Sequence, residues 1–136
     1  MTTLFNTPGK FVTTIEVVPP SGSQPDELLD KLHRLSALDF NAFSVASNPV
    51  AKSKMSAMAF CHLIQKRCQK KAILHLTIRD HNRLGIQSEL WGAKAMGIDT
   101  VIGVTGDPSA RQAEQKTSTV CDLNVFELIS MADESG

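Results

Sequence analysis

Four short apolar runs alternate along the chain with four longer stretches in which apolar residues recur every three or four positions. Short runs rich in β-branched residues predict strands, and the longer period predicts amphipathic helices. Each stretch between strands is long enough for a right-handed helical crossover between parallel strands. The order βαβαβαβα therefore predicts an α/β fold, either half of a (β/α)8 barrel or a small open parallel sheet. The predicted strands cover residues 11–18, 41–46, 72–77 and 100–105, and the predicted helices 25–37, 50–69, 82–96 and 122–131.

The composition indicates a single globular domain without a strong electrostatic preference. The 136 residues suffice for one core but fall short of the about 250 residues of an α/β barrel. The 14 Lys and Arg residues balance the 14 Asp and Glu residues, which argues against nucleic acid or an anionic membrane as a partner. No apolar run approaches the roughly 20 residues of a membrane span, and the first residues lack a secretory signal pattern. We expect a cytoplasmic protein whose residues 1–136 form one domain.

The three cysteines, Cys61, Cys68 and Cys121, include no CxxC pair. An odd number of cysteines in a chain without a signal is typical of reduced thiols in the cytoplasm. Cys61 and Cys68 lie seven residues apart in a predicted helix, so one face can carry both. This spacing favours core or half-buried thiols over metal ligands or redox groups.

Polar and charged residues stand where the third and fourth predicted strands end. Because parallel strands bring their carboxyl ends to one edge of a sheet, and ligands bind there, these residues predict part of an active-site floor. Among them Asp107 is the strongest candidate, since it follows an apolar strand and has no evident partner nearby in the sequence. The third strand contributes His75, Thr77, Arg79 and Asp80, and the fourth contributes Thr105 and Asp107.

Two candidates lie within strands. Glu16 has apolar neighbours, which would raise the pKa of its carboxyl and make it a general acid; a Glu pointing to solvent from an edge strand is an equally good interpretation. His75 lies in an apolar strand, where a hydrogen-bonded core histidine is commoner than a metal ligand. His81 adds no recognised metal motif, so we expect no metal site.

Three further features allow a structural or a functional interpretation. Asp80 either caps the helix that starts near Asn82, or Arg79 beside it offers a guanidinium fork to an anionic ligand. Gly106 would let a ligand approach the backbone closely. Residues 109–118 are polar and without period, which predicts a mobile loop of about ten residues at a strand end.

Four segments in order resemble the flavin-dependent 5,10-methylenetetrahydrofolate reductases. The resemblance extends over nearly the whole chain from Phe11 onward and is closest to the branch with RDxN after the third strand and TGDP after the fourth. Several motifs in the right order make it more specific than any single one. The segments are TIEVVPP at 14–20, HLTIRDHNRLGIQSELWGAKAMGI at 75–98, VTGDP at 104–108 and TSTVCDLNVFELI at 117–129.

The resemblance implies a (β/α)8 TIM barrel that holds FAD at the carboxyl ends of its strands. It implies hydride transfer from NAD(P)H to the flavin and then to 5,10-methylenetetrahydrofolate, which yields 5-methyltetrahydrofolate. Glu16 would be the general acid that assists opening of the methylene bridge, and Asp107 would lie near the flavin and the folate pterin. The remaining implied cofactor contacts are His75, Thr105, Gly106, Ser118, Thr119 and Val120.

This chain departs from the family pattern in two side chains and in length. Ala46 stands where members often have Thr, and Thr105 where they often have Arg. Only four of eight βα units are present, so the alternative is a non-catalytic half-barrel: a fragment, a subunit completed by another chain, or a folate- or flavin-binding remnant. The first and fourth strands of such a half-barrel are open edges. We therefore expect two copies to associate, or a second chain to complete the barrel.

Overall fold

A computed structural model describes residues 4–5, 8–109 and 117–135. Within these residues, four strands and four helices alternate in the predicted order, and a short 3₁₀ segment that was not predicted follows the second strand. The strands are β1 Thr14–Val17, β2 Ala42–Val45, β3 Lys71–Thr77 and β4 Val101–Val104. The helices are α1 Asp26–Leu35, α2 Ala57–Cys68, α3 Arg83–Ala95 and α4 Val125–Glu134, and the 3₁₀ segment is Pro49–Ala51.

The strands form one parallel sheet in the order β1-β2-β3-β4. Sequential order with helical crossovers of one hand puts every helix on the same face of the sheet. The core confirms this placement, because the strand residues packed with the helices alternate along each strand: Ile15 and Val17, Phe43 and Val45, Ala72 and Leu74, and Val101. This is the arrangement of four consecutive βα units of a barrel.

The core lies between the sheet and the helices in two connected clusters. The larger one joins α1 and α2 to the first three strands, and fully buried Phe43 and Phe60 lie within it. The smaller one joins α3 and α4 around Ile86 and Leu128. Cys61 and Cys68 are buried in the larger cluster, which confirms them as core thiols, and burial raises the pKa of the Cys61 thiol to about 12.

The second helix begins seven residues later than the sequence predicted. Residues 49–51 form a 3₁₀ turn in which Val50 and Ala51 have positive φ, so a continuous helix from residue 50 is wrong. The helix starts at Ala57, where the Ser56 hydroxyl accepts a hydrogen bond from the Ala59 amide. The 3₁₀ turn and residues 52–56 instead form a long connection at the carboxyl end of β2.

The opposite face of the sheet carries residues of the other alternation. The outer edges of β1 and β4 have no strand partner within the described chain. Glu16, Ser44, His75 and Ile102 point to this helix-free face. β1 is also shorter than residues 11–18, since Phe11 is almost fully exposed outside the sheet. Among the described residues, no helix has the length and apolar character needed to cross a membrane.

Candidate functional site

The carboxyl ends of β2, β3 and β4 meet in a polar cleft of about 250 Å³. Each strand end contributes one loop, as expected for parallel strands. Asn48 comes from the first loop, Arg79 and Asp80 from the second, and the segment that returns after the fourth strand adds Thr117 and Ser118. The cleft lies where the sequence predicted the floor of a site, and Ala51 and Ser53 complete its lining.

Arg79 lines this cleft, and its side chain is only 4% exposed. Its guanidinium donates from Nε and Nη2 to the two carboxylate oxygens of Asp80, at 2.6 and 2.7 Å. Nη2 also donates to the Asn48 carbonyl and Nη1 to the Asp107 carbonyl, both at 3.1 Å. The hydrogen bond with Asp80 raises the pKa of Arg79, against the effect of burial. The guanidinium fork is thus occupied by the protein itself, and the predicted role as a fork for an anionic ligand is wrong.

Asp80 pairs with Arg79 and does not cap the third helix. Burial acts to raise the pKa of Asp80, but hydrogen bonds from Arg79 and Asn48 outweigh it and hold the pKa below its ordinary value. The cap is Asn82, whose side-chain oxygen accepts a hydrogen bond from the Gly85 amide at 2.9 Å. Asn82 therefore provides the cap that was predicted for Asp80, and Asp80 faces the cleft instead.

Asp107 has a partner that its sequence neighbours did not reveal. Its Oδ2 accepts a hydrogen bond of 2.7 Å from the amide of Val50, which is 57 residues away. Val50 holds a left-handed conformation with φ 50°, and Asn48 and Ala51 also have positive φ. A β-branched residue in this region is strained, and strain of this kind concentrates at functional sites. The pairing of Asp107 with the loop after β2 brings two strand ends together.

The packing of the protein itself requires a glycine at position 106, independently of any ligand. Its φ is 82°, and a Cβ at this position would collide with the Thr77 hydroxyl and lie 3.0 Å from the Arg79 Cβ. The same hydroxyl donates to the Thr105 carbonyl and accepts from the Arg79 amide, each at 3.1 Å. Thr105 contributes this carbonyl to the site, while the residue itself is exposed. The close approach predicted at Gly106 is made by Thr77 and Arg79.

His75 lies on the helix-free face between Ser44 and Ile102. Its Nε2 and the Ser44 hydroxyl are 2.7 Å apart, and Ser44 is the register partner of Glu16. Burial lowers the pKa of His75, and the nearby Glu16 charge opposes that shift. A largely neutral imidazole is suited to hydrogen bonding at neutral pH. This confirms the hydrogen-bonded histidine predicted from the sequence, although it faces the side of the sheet away from the core.

Glu16 is exposed on the outer strand β1. The carboxyl lies near His75, whose pKa its charge affects. The expected apolar enclosure of Glu16 is absent within the described chain, and the interpretation as an edge-strand Glu open to solvent fits its position. It forms a diagonal row with Ser44 and His75 across three strands, and Ser44 is the member that sequence inspection missed.

The segment after β4 is anchored at both described ends. Ser109 is buried and its hydroxyl lies 2.7 Å from that of Thr119, and the Val120 amide donates to the Arg79 carbonyl at 2.9 Å. Ser118 lines the cleft, whereas the Val120 side chain is exposed. The predicted mobile loop falls mainly on residues 110–116, which lie outside the described residues.

A second cavity of about 350 Å³ lies between β3, the start of α2 and α3. Asn48 lines both this cavity and the polar cleft, so the loop after β2 separates them. His81 and Glu89 are among its polar lining residues. The described residues contain no group of three or more His, Cys, Asp or Glu side chains arranged to hold a metal ion. Sequence analysis did not identify Asn48 as a site residue, because an Asn before Pro49 indicated only the end of a strand.

Comparison with known proteins identifies one family. A family model described as methylenetetrahydrofolate reductase matches residues 2–135, nearly the entire chain. A comparison with curated proteins gives no match. The matched range includes every element of the fold and all three strand-end loops of the polar cleft.

Proposed function

The chain belongs to the methylenetetrahydrofolate reductase family of TIM-barrel proteins, and on that premise we propose that it acts in FAD-mediated reduction of 5,10-methylenetetrahydrofolate. NAD(P)H would be the reductant and 5-methyltetrahydrofolate the product, and the reaction would serve one-carbon metabolism and methionine biosynthesis in the cytoplasm. The observation that carries this proposal is the convergence of three strand-end loops on Asp107 and Arg79.

The donor set at the strand ends fits part of a flavin dinucleotide. Hydroxyl groups and backbone amides are suited to ring heteroatoms and to the distal part of the cofactor. His75, Thr105, Gly106, Asp107 and the segment from Ser118 to Val120 would hold it, with Ser118 in the cleft and His75 on the helix-free face. When bound, FAD would supply the carrier that accepts hydride from NAD(P)H and passes it to the folate.

Two carboxylates would act on the folate. Glu16, exposed and close to His75, would give its proton to the nitrogen that leaves as the methylene bridge opens. Asp107 would place a fixed negative charge beside the flavin and the pterin, because the Val50 amide already holds one of its oxygens. Within the described residues the other oxygen, Oδ1, has no hydrogen-bond partner, which leaves it available to a ligand.

The test is direct binding and reduction. FAD added to the purified chain should give a flavin spectrum that NADH or NADPH bleaches and that methylenetetrahydrofolate restores. Glu16→Gln should slow folate reduction while the reductant still bleaches the flavin, and Asp107→Asn should weaken flavin or folate binding. A colourless protein that takes up no FAD would contradict the proposal.

Two observations favour a second candidate, a half-barrel that binds ligand only when it is completed. The polar cleft is smaller than the about 300–1,000 Å³ of ordinary ligand pockets, and Glu16 lies open to solvent. Further βα units would supply the missing walls, from a second copy of this chain, from another chain, or from a longer protein of which this half-barrel is a fragment. FAD binding that appears only on association would distinguish this candidate from an active single chain.

A further inference from the structure

We propose that Arg79 is a positioning residue: its buried guanidinium holds the loops after β2 and β4 together and thereby aims the Asp107 carboxylate. The inference deepens the proposed function and rests on it for the identity of the ligand. The contact geometry on which it depends is independent of any ligand. Arg79 touches neither reacting group and would act through Asp107.

Arg79 lies in the loop after β3, and its guanidinium joins this loop to two others through their backbone carbonyls. It donates to the carbonyl of Asn48, which follows β2, and to that of Asp107, which follows β4. Asp80 receives two hydrogen bonds and fixes the plane of the guanidinium between these carbonyls. The Val120 amide donates to the carbonyl of Arg79 itself, so the returning segment is attached to the same residue. A planar group with five fixed donors is suited to this bridging, whereas a lysine ammonium is a single point charge.

The same two loops are linked a second time through Asp107. Its carboxylate accepts the amide of Val50, a residue held at φ 50°. Strained backbone of this kind persists only where its surroundings hold it. If Arg79 releases the carbonyls of Asn48 and Asp107, we expect the loop after β2 to relax and Asp107 to lose its fixed orientation. The strained backbone of the loop after β2 and the orientation of the Asp107 carboxylate thus both depend on the buried Arg79 side chain.

The experiment compares Arg79→Met and Arg79→Lys with wild type and with Arg67→Met. Arg67 pairs with Asp30 between exposed helix positions at the other end of the sheet, so its variant is a matched control for loss of an ion-paired arginine. Two properties are measured: the dissociation constant for FAD and the native-state exchange rates of the Val50 and Ala46 amides. The Ala46 amide, directly after β2 and outside the strained turn, donates to the Val17 carbonyl at the end of β1 and reports general loss of stability.

Both Arg79 variants should speed exchange at Val50 by about tenfold more than at Ala46, because the turn opens locally. Both should also weaken FAD binding by about tenfold, since Asp107 is no longer aimed, while Arg67→Met changes neither property. Equal acceleration at Val50 and Ala46 would show a purely structural role and overturn the inference. Wild-type behaviour of Arg79→Lys would also overturn it, because a charge alone would then suffice.

Failure of the proposed function gives a different result. If wild type binds no FAD, the proposed ligand is wrong, and the ratio of the two exchange rates still decides the positioning role. If Arg79→Met does not fold, Arg79→Lys retains the charge and provides the same ratio.

Discussion

At the scale of single residues, the site contains charged side chains that already have partners within the protein. Asp80 is held ionised by Arg79 and Asn48, so its folded pKa lies below the ordinary value of 3.8. A lowered carboxyl pKa stabilises the fold above the unfolded pKa, and this contribution is lost as pH falls through the folded pKa. Asp80→Asn should reduce the free energy of unfolding by about 2 kcal/mol at neutral pH. Denaturation across acidic pH should show that the deficit shrinks toward zero.

The matched control for this prediction is Asp30→Asn, which breaks the exposed pair with Arg67. Because solvent screens that pair, the cost should stay below about 1 kcal/mol. A constant deficit of Asp80→Asn from neutral to strongly acidic pH would contradict the assigned pairing.

His75 is charged when protonated, whereas Asp80 is charged when deprotonated. The effect of His75 on the stability of the fold therefore falls in a different pH window. Its folded pKa is lowered by burial from the ordinary value of 6.5, so the unfolded chain takes up a proton first as pH falls. Stability should therefore decrease from pH 6.5 down to the lowered folded pKa and should stay level above that window. Urea midpoints of wild type and His75→Gln should diverge at neutral pH and approach each other on acidification. His33→Gln, at an exposed helix position, is the control, and parallel curves for wild type and His75→Gln would refute the argument.

At the scale of elements, local patterns predicted the strands and helices but not the turn at 49–51. The apolar spacing through Met55 and Met58 runs on without a break from residue 50, which favoured one long helix. The left-handed backbone of Val50 is set by a hydrogen bond to Asp107, a contact far away in sequence. The partner of Asp107 was missed for the same reason, since no local pattern encodes it. The strand ends were predictable because parallel topology alone brings them together.

The strained turn yields an element-scale prediction. Val50→Gly removes the Cβ that makes φ 50° unfavourable and loses little burial, because Val50 is 55% exposed. Relief of about 1–2 kcal/mol should exceed the entropy cost of glycine, so the free energy of unfolding should rise by up to about 1 kcal/mol. Pro49 limits the freedom of the same turn in both proteins. Thermal and urea unfolding measure the change, and a clear loss of stability would mean that the turn is not strained.

At the scale of the whole molecule, the side after β4 resembles an interface with a further βα unit. Ile102, Phe126 and Ile129 are exposed there, and β4 has no partner on its outer side within the described chain. Parallel sheets are normally covered on both faces, and open edges promote pairing with another chain. The zero net charge places no long-range repulsion between two copies. We propose that a second copy supplies these units, with β4 of each copy beside β1 of the other.

Ile102 offers the test of this association. It is 36% exposed on the helix-free face and would lie inside a closed barrel, so Ile102→Lys should bury an unpaired charge only in the assembled form. We expect wild type to dimerise with rising concentration in sedimentation equilibrium, and Ile102→Lys to weaken the dimer by at least about tenfold. Leu84→Lys is the control, because Leu84 is 78% exposed on the outer helix α3 and should leave the dimer intact. A wild-type chain that stays a stable, well-folded monomer at every concentration would rule out completion by a second copy.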